Sequence, residues 1–180
     1  MKTPIDLSLA TRLINNGPVI MVTSGQKDKK ANIITLAWNM PVSKNPPLVA
    51  IALASTHYST QLIKEYKEFV INIPNEKLLP EVIFCGTKSG RDVDKFAETG
   101  LTKERSQRIE TPLIGECIGH LECKVVQENF IGDHSIFYGE VLAASTMKGL
   151  FNEMWDIGKE ESRMIHHLGG KMFYGVGEKK

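Results

Sequence analysis

The sequence predicts a mainly β protein with helical insertions, built as a small barrel, and three features carry that prediction. Short runs of apolar and β-branched residues, VIMVTS (19–24), NIITLAW (32–38) and LVAIALA (48–54), are separated by the turn-rich segments GQKDKK and MPVSKNPP. No stretch between them has room for a crossover helix, so the strands pair antiparallel. From Leu113 to Val125 every odd position is apolar or small, the period of one long half-buried strand. Gly115 and Gly119 within it weaken a strand but permit the bending that closes a barrel.

Taken in chain order, Asp6 caps a first helix that runs to about residue 16, with Leu7, Ala10, Leu13 and Ile14 on one face. Gly17-Pro18 stops it. Ser59 or Thr60 opens a helix through Tyr66, and FVINI (69–73) is a further strand. Helical stretches follow at Glu76–Phe84 and Asp92–Glu98, with residues 101–112 polar and irregular. HSIFYGEVLAAS (134–145) pairs with the alternating strand across a turn at Asn129–Asp133, and MFYGVG (172–177) closes the chain as a short strand.

Composition narrows the function. The 180 residues suffice for one domain with a sizeable core and are short for two. Hydrophobic residues at 42% and charged residues at 24% are globular values. A net charge of +1 without a basic half argues against a nucleic-acid surface. The N-terminal MKTPIDLSLATRL lacks the apolar core of a signal peptide, and no apolar run is long enough to span a bilayer. Cys85, Cys117 and Cys123 cannot all pair within one chain. They read as buried thiols of a cytoplasmic protein, with Cys117 and Cys123 on one strand face.

CGTKSGRDVDKF (85–96) has the residue types of a phosphate loop. A nucleotide P-loop requires G-x-x-x-x-G-K-[ST] after a strand, whereas here Thr87 precedes Lys88-Ser89, position 81 is Glu81 and the preceding segment is helical. No G-x-G-x-x-G appears, so a Rossmann site has no support. Gly86 and Gly90 can aim N–H groups at an anion, and Lys88, Arg91 and Lys95 supply charge. On composition alone, a solvated basic loop with Asp92 and Asp94 pairing locally is the stronger reading. His57-Tyr58-Ser59-Thr60 offers a helix start, hydroxyls and an imidazole to an anion, or simple N-capping by Ser59. Asn32 and Thr35 are polar in an otherwise apolar strand and require partners. The histidines, including His134 beside Asp133, lack zinc spacing, and G-x-S-x-G is absent, so metal and hydrolase chemistry are set aside.

In this order the segments resemble the flavin reductase-like, FMN-binding split-barrel family, and within it the flavoredoxin type. The resemblance runs from about residue 16 to 176. It is carried by the Gly-Pro entry, NIITLAW, VSKNPPLVAIAL, HYSTQLI, FVINIP, CGTKSGRDVDKF, ECIGHLEC, GDHSIFYGEV and GGKMFYGVG. It implies a split β-barrel of Greek-key type, residues 1–180 forming a single FMN-binding domain. It places Asn32, Thr35, Leu36, Ala37 and Trp38 along the flavin and its ribityl chain. It places Ala54, Ser55, His57, Ser59 and Thr60 at the phosphate. Gly86, Ser89, Gly90 and Lys95 become further cofactor contacts, and His134 with Phe173 or Tyr174 approaches the ring, from either subunit of a homodimer. Relatives often carry Arg in place of His57. An imidazole offsets less phosphate charge, which shifts the load to Lys95, Arg91 or helix-start N–H groups and implies a modest FMN affinity.

The implied function is an FMN flavoprotein in which no side chain acts as nucleophile. One form is a flavin reductase-like oxidoreductase with NADH or NADPH as donor. The second is an electron carrier supplied by a redox protein, and the third a non-redox ligand-binding split barrel.

Overall fold

The computed structural model describes residues 6–14, 17–26 and 28–175. Its strands are β1 (Ile20–Gly25), β2 (Ala31–Leu36), β3 (Asn39–Lys44), β4 (Pro47–Ala54), β5 (Glu68–Ile73), β6 (Lys103–Glu104), β7 (Leu113–Ile114), β8 (Gly119–Ile131), β9 (His134–Thr146), β10 (Phe151–Asn152), β11 (Met154–Trp155), β12 (Ile165–Gly169) and β13 (Met172–Gly175). Among the described residues three α-helices, α1 (Tyr58–Tyr66), α2 (Leu79–Thr87) and α3 (Lys95–Thr99), are inserted between the strands. The expected mainly β architecture with helical insertions is the one observed.

Among the described residues seven strands make one antiparallel sheet in the order β2-β1-β5-β8-β9-β4-β3. The two end strands, β2 and β3, are consecutive in the chain, joined through Ala37 and Trp38. The sheet must therefore curl until its ends meet, and the Ala52 N–H donates to the Trp38 carbonyl at 3.0 Å across that junction.

Curling divides the apolar residues into two cores. Inside lie Ile20, Val22, Ile34, Leu36, Ile51, Leu53, Phe69, Ile71, Cys123 and Phe137, with Ile63 of α1 packed among them. On the outer face of β1 and β2, Met21, Ala31 and Ile33 pack under Val82 and Cys85 of α2 and Phe96 of α3. Alternate residues of β2 thus serve opposite cores, as its period-2 pattern predicts.

Several expectations are corrected. The N-terminal helix is a 3-10 segment, Leu7–Leu13, capped by Asp6 but with Leu13 and Ile14 exposed; its expected end at 15–16 lies outside the described residues. A segment this short with three residues per turn presents no 3.6-period stripe to bury. MPVSKNPP is not a loop. Its first five residues lie within β3, an edge strand on which Pro41 is tolerated because one side needs no ladder bond. Helix α1 starts at Tyr58 with His57 in the capping position, so Ser59 is not the cap. Helix α2 runs on through Cys85-Gly86-Thr87, beyond the expected Phe84, while α3 starts only at Lys95 under the Asp94 cap.

The single strand expected over Leu113–Val125 is two strands with a turn at 115–118, where the Cys117 N–H donates to the Ile114 carbonyl at 3.1 Å. Cys117 and Cys123 consequently sit in different cores rather than on one face. Within 101–112, expected to be irregular, Lys103–Glu104 pairs with β7. The β8–β9 turn narrows to Gly132-Asp133, with Ile131 opposite His134. The C-terminal strand β13 pairs with β12, a strand the sequence reading omitted; 176–177 lie outside the described residues.

Gly139 of β9 lies where close approach demands glycine. A Cβ there would stand 2.6 Å from Phe69 Cζ and 3.0 Å from Cys123 Cβ, and both neighbours are fully buried. Gly139→Ala is expected to destabilise the fold by about 1–3 kcal/mol through overpacking. Urea denaturation should show a lower midpoint with an unchanged slope.

Candidate functional site

The edge position of β2 sets the site. Among the described residues its outer edge pairs with no strand; a lysine side chain satisfies one of its carbonyls, and two of its own side chains tie it to neighbouring segments. Thr35 Oγ1 donates to the Val82 carbonyl at 2.6 Å, tying β2 to α2. Asn32 Nδ2 donates to Ser59 Oγ at 2.9 Å, tying β2 to the first turn of α1. Lys95 Nζ donates to the Ile33 and Cys85 carbonyls, each at 2.7 Å. The two polar residues flagged in this strand therefore have partners. Cys85 lies in the last turn of α2, where carbonyls lack intrahelical donors and a cation is favoured. The solvated-loop reading fails at Lys95, which is 3% exposed. Burial pushes its ammonium pKa down and the neighbouring Cys85 thiol up to about 11.

Two chambers open along β2. The apolar one, about 260 Å³, is walled by Thr35, Leu36, Ala37, Trp38, Ala54, Val82, Gly86, His134 and Phe173. The polar one, about 270 Å³, is walled by Asn32, Tyr58, Ser59, Lys88, Ser89, Gly90, Arg91 and Lys95. His57, Gly86 and Thr87 line both, so the chambers form one continuous cleft. Gly86 and Gly90 are glycine because backbone passes directly over β2. A Cβ at Gly90 would fall 2.0 Å from Asn32 Oδ1, and one at Gly86 3.3 Å from Thr35 Cβ.

The expected site residues sort accordingly. Ser55 and Thr60 line neither chamber: Ser55 N–H donates to the Asp133 carbonyl at 2.9 Å and Thr60 Oγ1 to the Ala54 carbonyl at 2.8 Å, both shaping the entry to α1. Ser89 Oγ accepts from the Arg91 N–H at 3.2 Å within its turn. Of the two aromatic alternatives, Phe173 lines the apolar chamber, while Tyr174 packs against His166 with centroids 5.0 Å apart. The sequence reading carried Tyr58 only as a member of the His57–Thr60 segment, and it did not single out Thr87 or the β12–β13 wall contributed by His167 and Lys171. The strand pattern of MFYG was the available signal for that hairpin.

Electrostatics differ between the chambers. Trp38 and His134 stack with centroids 4.8 Å apart, and His134 Nδ1 hydrogen-bonds Asp133 Oδ1 at 2.6 Å. That bond holds the Asp133 carboxyl below the usual carboxylate range. In the polar chamber, Arg91 donates to the Thr56 carbonyl at 3.1 Å and lies over the Tyr58 ring. Lys88, Arg91 and Lys95 line it, and no Asp or Glu does so among the described residues. At the junction, burial and the charges of His134, Lys95 and Arg91 push the His57 pKa down.

This donor set fits a ligand with an extended apolar ring and an anionic end. Hydroxyls, helix-start N–H groups and uncompensated cations meet the anion, and apolar walls meet the ring.

Residues 13–165 match the family model described as flavin reductase like domain. The chain is 32% identical over 180 residues to the protein YddH of Escherichia coli (strain K12), covering 98% of this chain and 95% of that one. The structure superposes on a flavoredoxin from Methanosarcina acetivorans with TM-score 0.85 at 26% identity, covering 100% and 94% of the two chains. It superposes on an FMN-binding domain of a flavin reductases-like enzyme from Shewanella baltica OS155 with TM-score 0.84 at 25% identity, covering 99% and 95%.

The His57 shift has a defined sign. A folded-state pKa below the ordinary 6.5 means the unfolded chain takes up this proton first, so His57 works against the fold as pH falls through that region. Its imidazole NMR signals should titrate with a midpoint below 6.5, and Arg91→Ala should move the midpoint upward.

Proposed function

The chain belongs to the flavin reductase like domain family, and from that premise we propose that it binds FMN along the β2 cleft and works as an NAD(P)H-dependent flavin reductase-like oxidoreductase. The observation that carries the proposal is the continuity of an apolar chamber with a cation-lined one at His57, Gly86 and Thr87. Leu36, Ala37, Trp38, His134 and Phe173 would hold the ring. Ser59, Ser89, Arg91 and Lys95 would hold the phosphate. These residues would hold FMN, which would supply the chemistry of a hydride acceptor and of one- or two-electron transfer.

The chain's part is binding, orientation and charge. The apolar walls exclude water from one end of the ligand. Lys95, fixed by two carbonyls, keeps one remaining N–H for an anion without a rotamer search. His57 stands where the two chambers join and supplies donor capacity with little charge at neutral pH. A second reading, an electron carrier that takes electrons from a protein partner, is supported by the likeness to the Methanosarcina flavoredoxin. A single-domain, cytoplasmic homodimer completes the proposal; exposed Met40, Val42, Phe130 and Ile131 are apolar surface available to a second copy.

The test is direct. The purified protein should be yellow or quench added FMN fluorescence, and anaerobic NADH or NADPH should bleach its band near about 450 nm. A yellow protein inert to both nucleotides but reduced by a redox protein would select the carrier. Failure to bind FMN would overturn the flavoprotein proposal. Lys95→Met should weaken FMN binding about tenfold, as expected for a charge-assisted contact. Unchanged affinity would leave Lys95 as a structural tie alone.

A further inference from the structure

Two serines, Ser59 and Ser89, line the polar chamber, and each hydroxyl already accepts a hydrogen from the protein. Asn32 Nδ2 donates to Ser59 Oγ at 2.9 Å, and the Arg91 N–H donates to Ser89 Oγ at 3.2 Å. A hydroxyl with one lone pair engaged in this way cannot turn its own proton toward that neighbour. The Ser59 proton meets no protein acceptor among the described residues. Ser59 is 1% exposed and Asn32 4%, and both line the chamber. The Asn32 amide is held in place from behind. Gly90 packs so close to it that a Cβ would lie 2.0 Å from Oδ1 and 2.9 Å from Nδ2, which leaves the amide no room to swing away from Ser59.

We propose that Asn32 is a positioning residue for the anionic ligand: by donating to Ser59 it fixes that hydroxyl as a hydrogen-bond donor into the polar chamber. The inference rests on the reading that this chamber takes the FMN phosphate, and it gives a role to a residue which that reading leaves unused. A free serine hydroxyl rotates, and in some rotamers it turns oxygen lone pairs toward an anion and repels it. A donor aimed in advance needs no such reorganisation when the anion arrives. Lys95 and Arg91 are held in the same manner, by the Ile33 and Cys85 carbonyls and by the Thr56 carbonyl. Asn32 thus acts through Ser59. Its effect is felt by the phosphate and not by the ring, whose place is the apolar chamber.

Dissociation constants for FMN and for riboflavin, which lacks the phosphate, are measured by flavin fluorescence on the wild-type protein, Asn32→Leu, Ser59→Ala and the double variant. Leucine fills nearly the space of asparagine without a donor, and Asn32→Ala repeats the measurement with a smaller side chain should the leucine disturb folding. Ser59→Ala should weaken FMN about tenfold, the scale of one hydrogen bond to a charged group, and the Asn32 variants about three- to tenfold. Riboflavin should stay within about twofold throughout, on the same ground that it offers these groups no charge. In the double variant FMN should bind within about twofold of Ser59→Ala alone, because no hydroxyl is left for the amide to orient. The inference is overturned if the Asn32 variants leave FMN affinity unchanged, or if the double variant multiplies the two single effects. It is also overturned if FMN and riboflavin weaken alike, which would make the Asn32–Ser59 bond a structural tie. Wild-type protein that binds FMN no more tightly than riboflavin would instead overturn the phosphate reading beneath it.

Discussion

Among the described residues strand β2 has a hydrogen-bonded strand neighbour on one side only, and the polar groups of its free edge must be satisfied without a strand. Lys95 satisfies the Ile33 carbonyl, while the Thr35 and Asn32 side chains bond outward, so that the three bonds bring α3, α2 and α1 against the strand. The barrel, its helical cover and the cleft depend on that edge. The edge is covered by helix ends and a loop, which supply donors, acceptors and charge. Structure and site are therefore the same set of bonds.

The buried ammonium of Lys95 shows how closely the two are joined. An unpaired cation in that position would be strongly disfavoured, and two carbonyls, one on β2 and one at the end of α2, make it tolerable. The carbonyl at the α2 end is one that helix geometry leaves without a donor. The tie thus solves a problem for each partner while directing positive charge into the polar chamber. The same concentration of charge lowers the pKa of His57 at the junction, so the site is cationic toward the polar end and close to neutral where it meets the apolar walls.

Much of the fold is legible in residue patterns because apolar alternation reports burial. Strands β1, β2, β4, β5 and β9 follow their β-branched runs closely. The failures have physical reasons. β3 carries Pro41, which reads as loop, yet an edge strand accepts proline on its open side. The alternation over Leu113–Val125 continues through a turn because each half faces its own core, and periodicity cannot tell one core from two. In the site, Asn32 and Thr35 were conspicuous as polar residues in an apolar strand. Ser59 was open to two readings, an anion contact or a helix cap; it is not the cap, and its hydroxyl accepts from Asn32, twenty-seven positions away. The β12 wall carried too short an alternation to stand out.

The amino-acid sequence by itself determined the fold class and the strand-rich order of elements, because these follow from local periodicity and turn chemistry, and the order of its short segments carries the family resemblance that implies a ring-and-phosphate ligand. Only the tertiary structure decided that Lys95 is a buried tie rather than a solvated side chain, and that His57, Gly86 and Thr87 join two chambers into one cleft. Those outcomes depend on contacts between segments far apart in the chain, such as Ile33 and Lys95, sixty-two positions apart. Curling the sheet brings such segments together, and no local pattern encodes the distance across it.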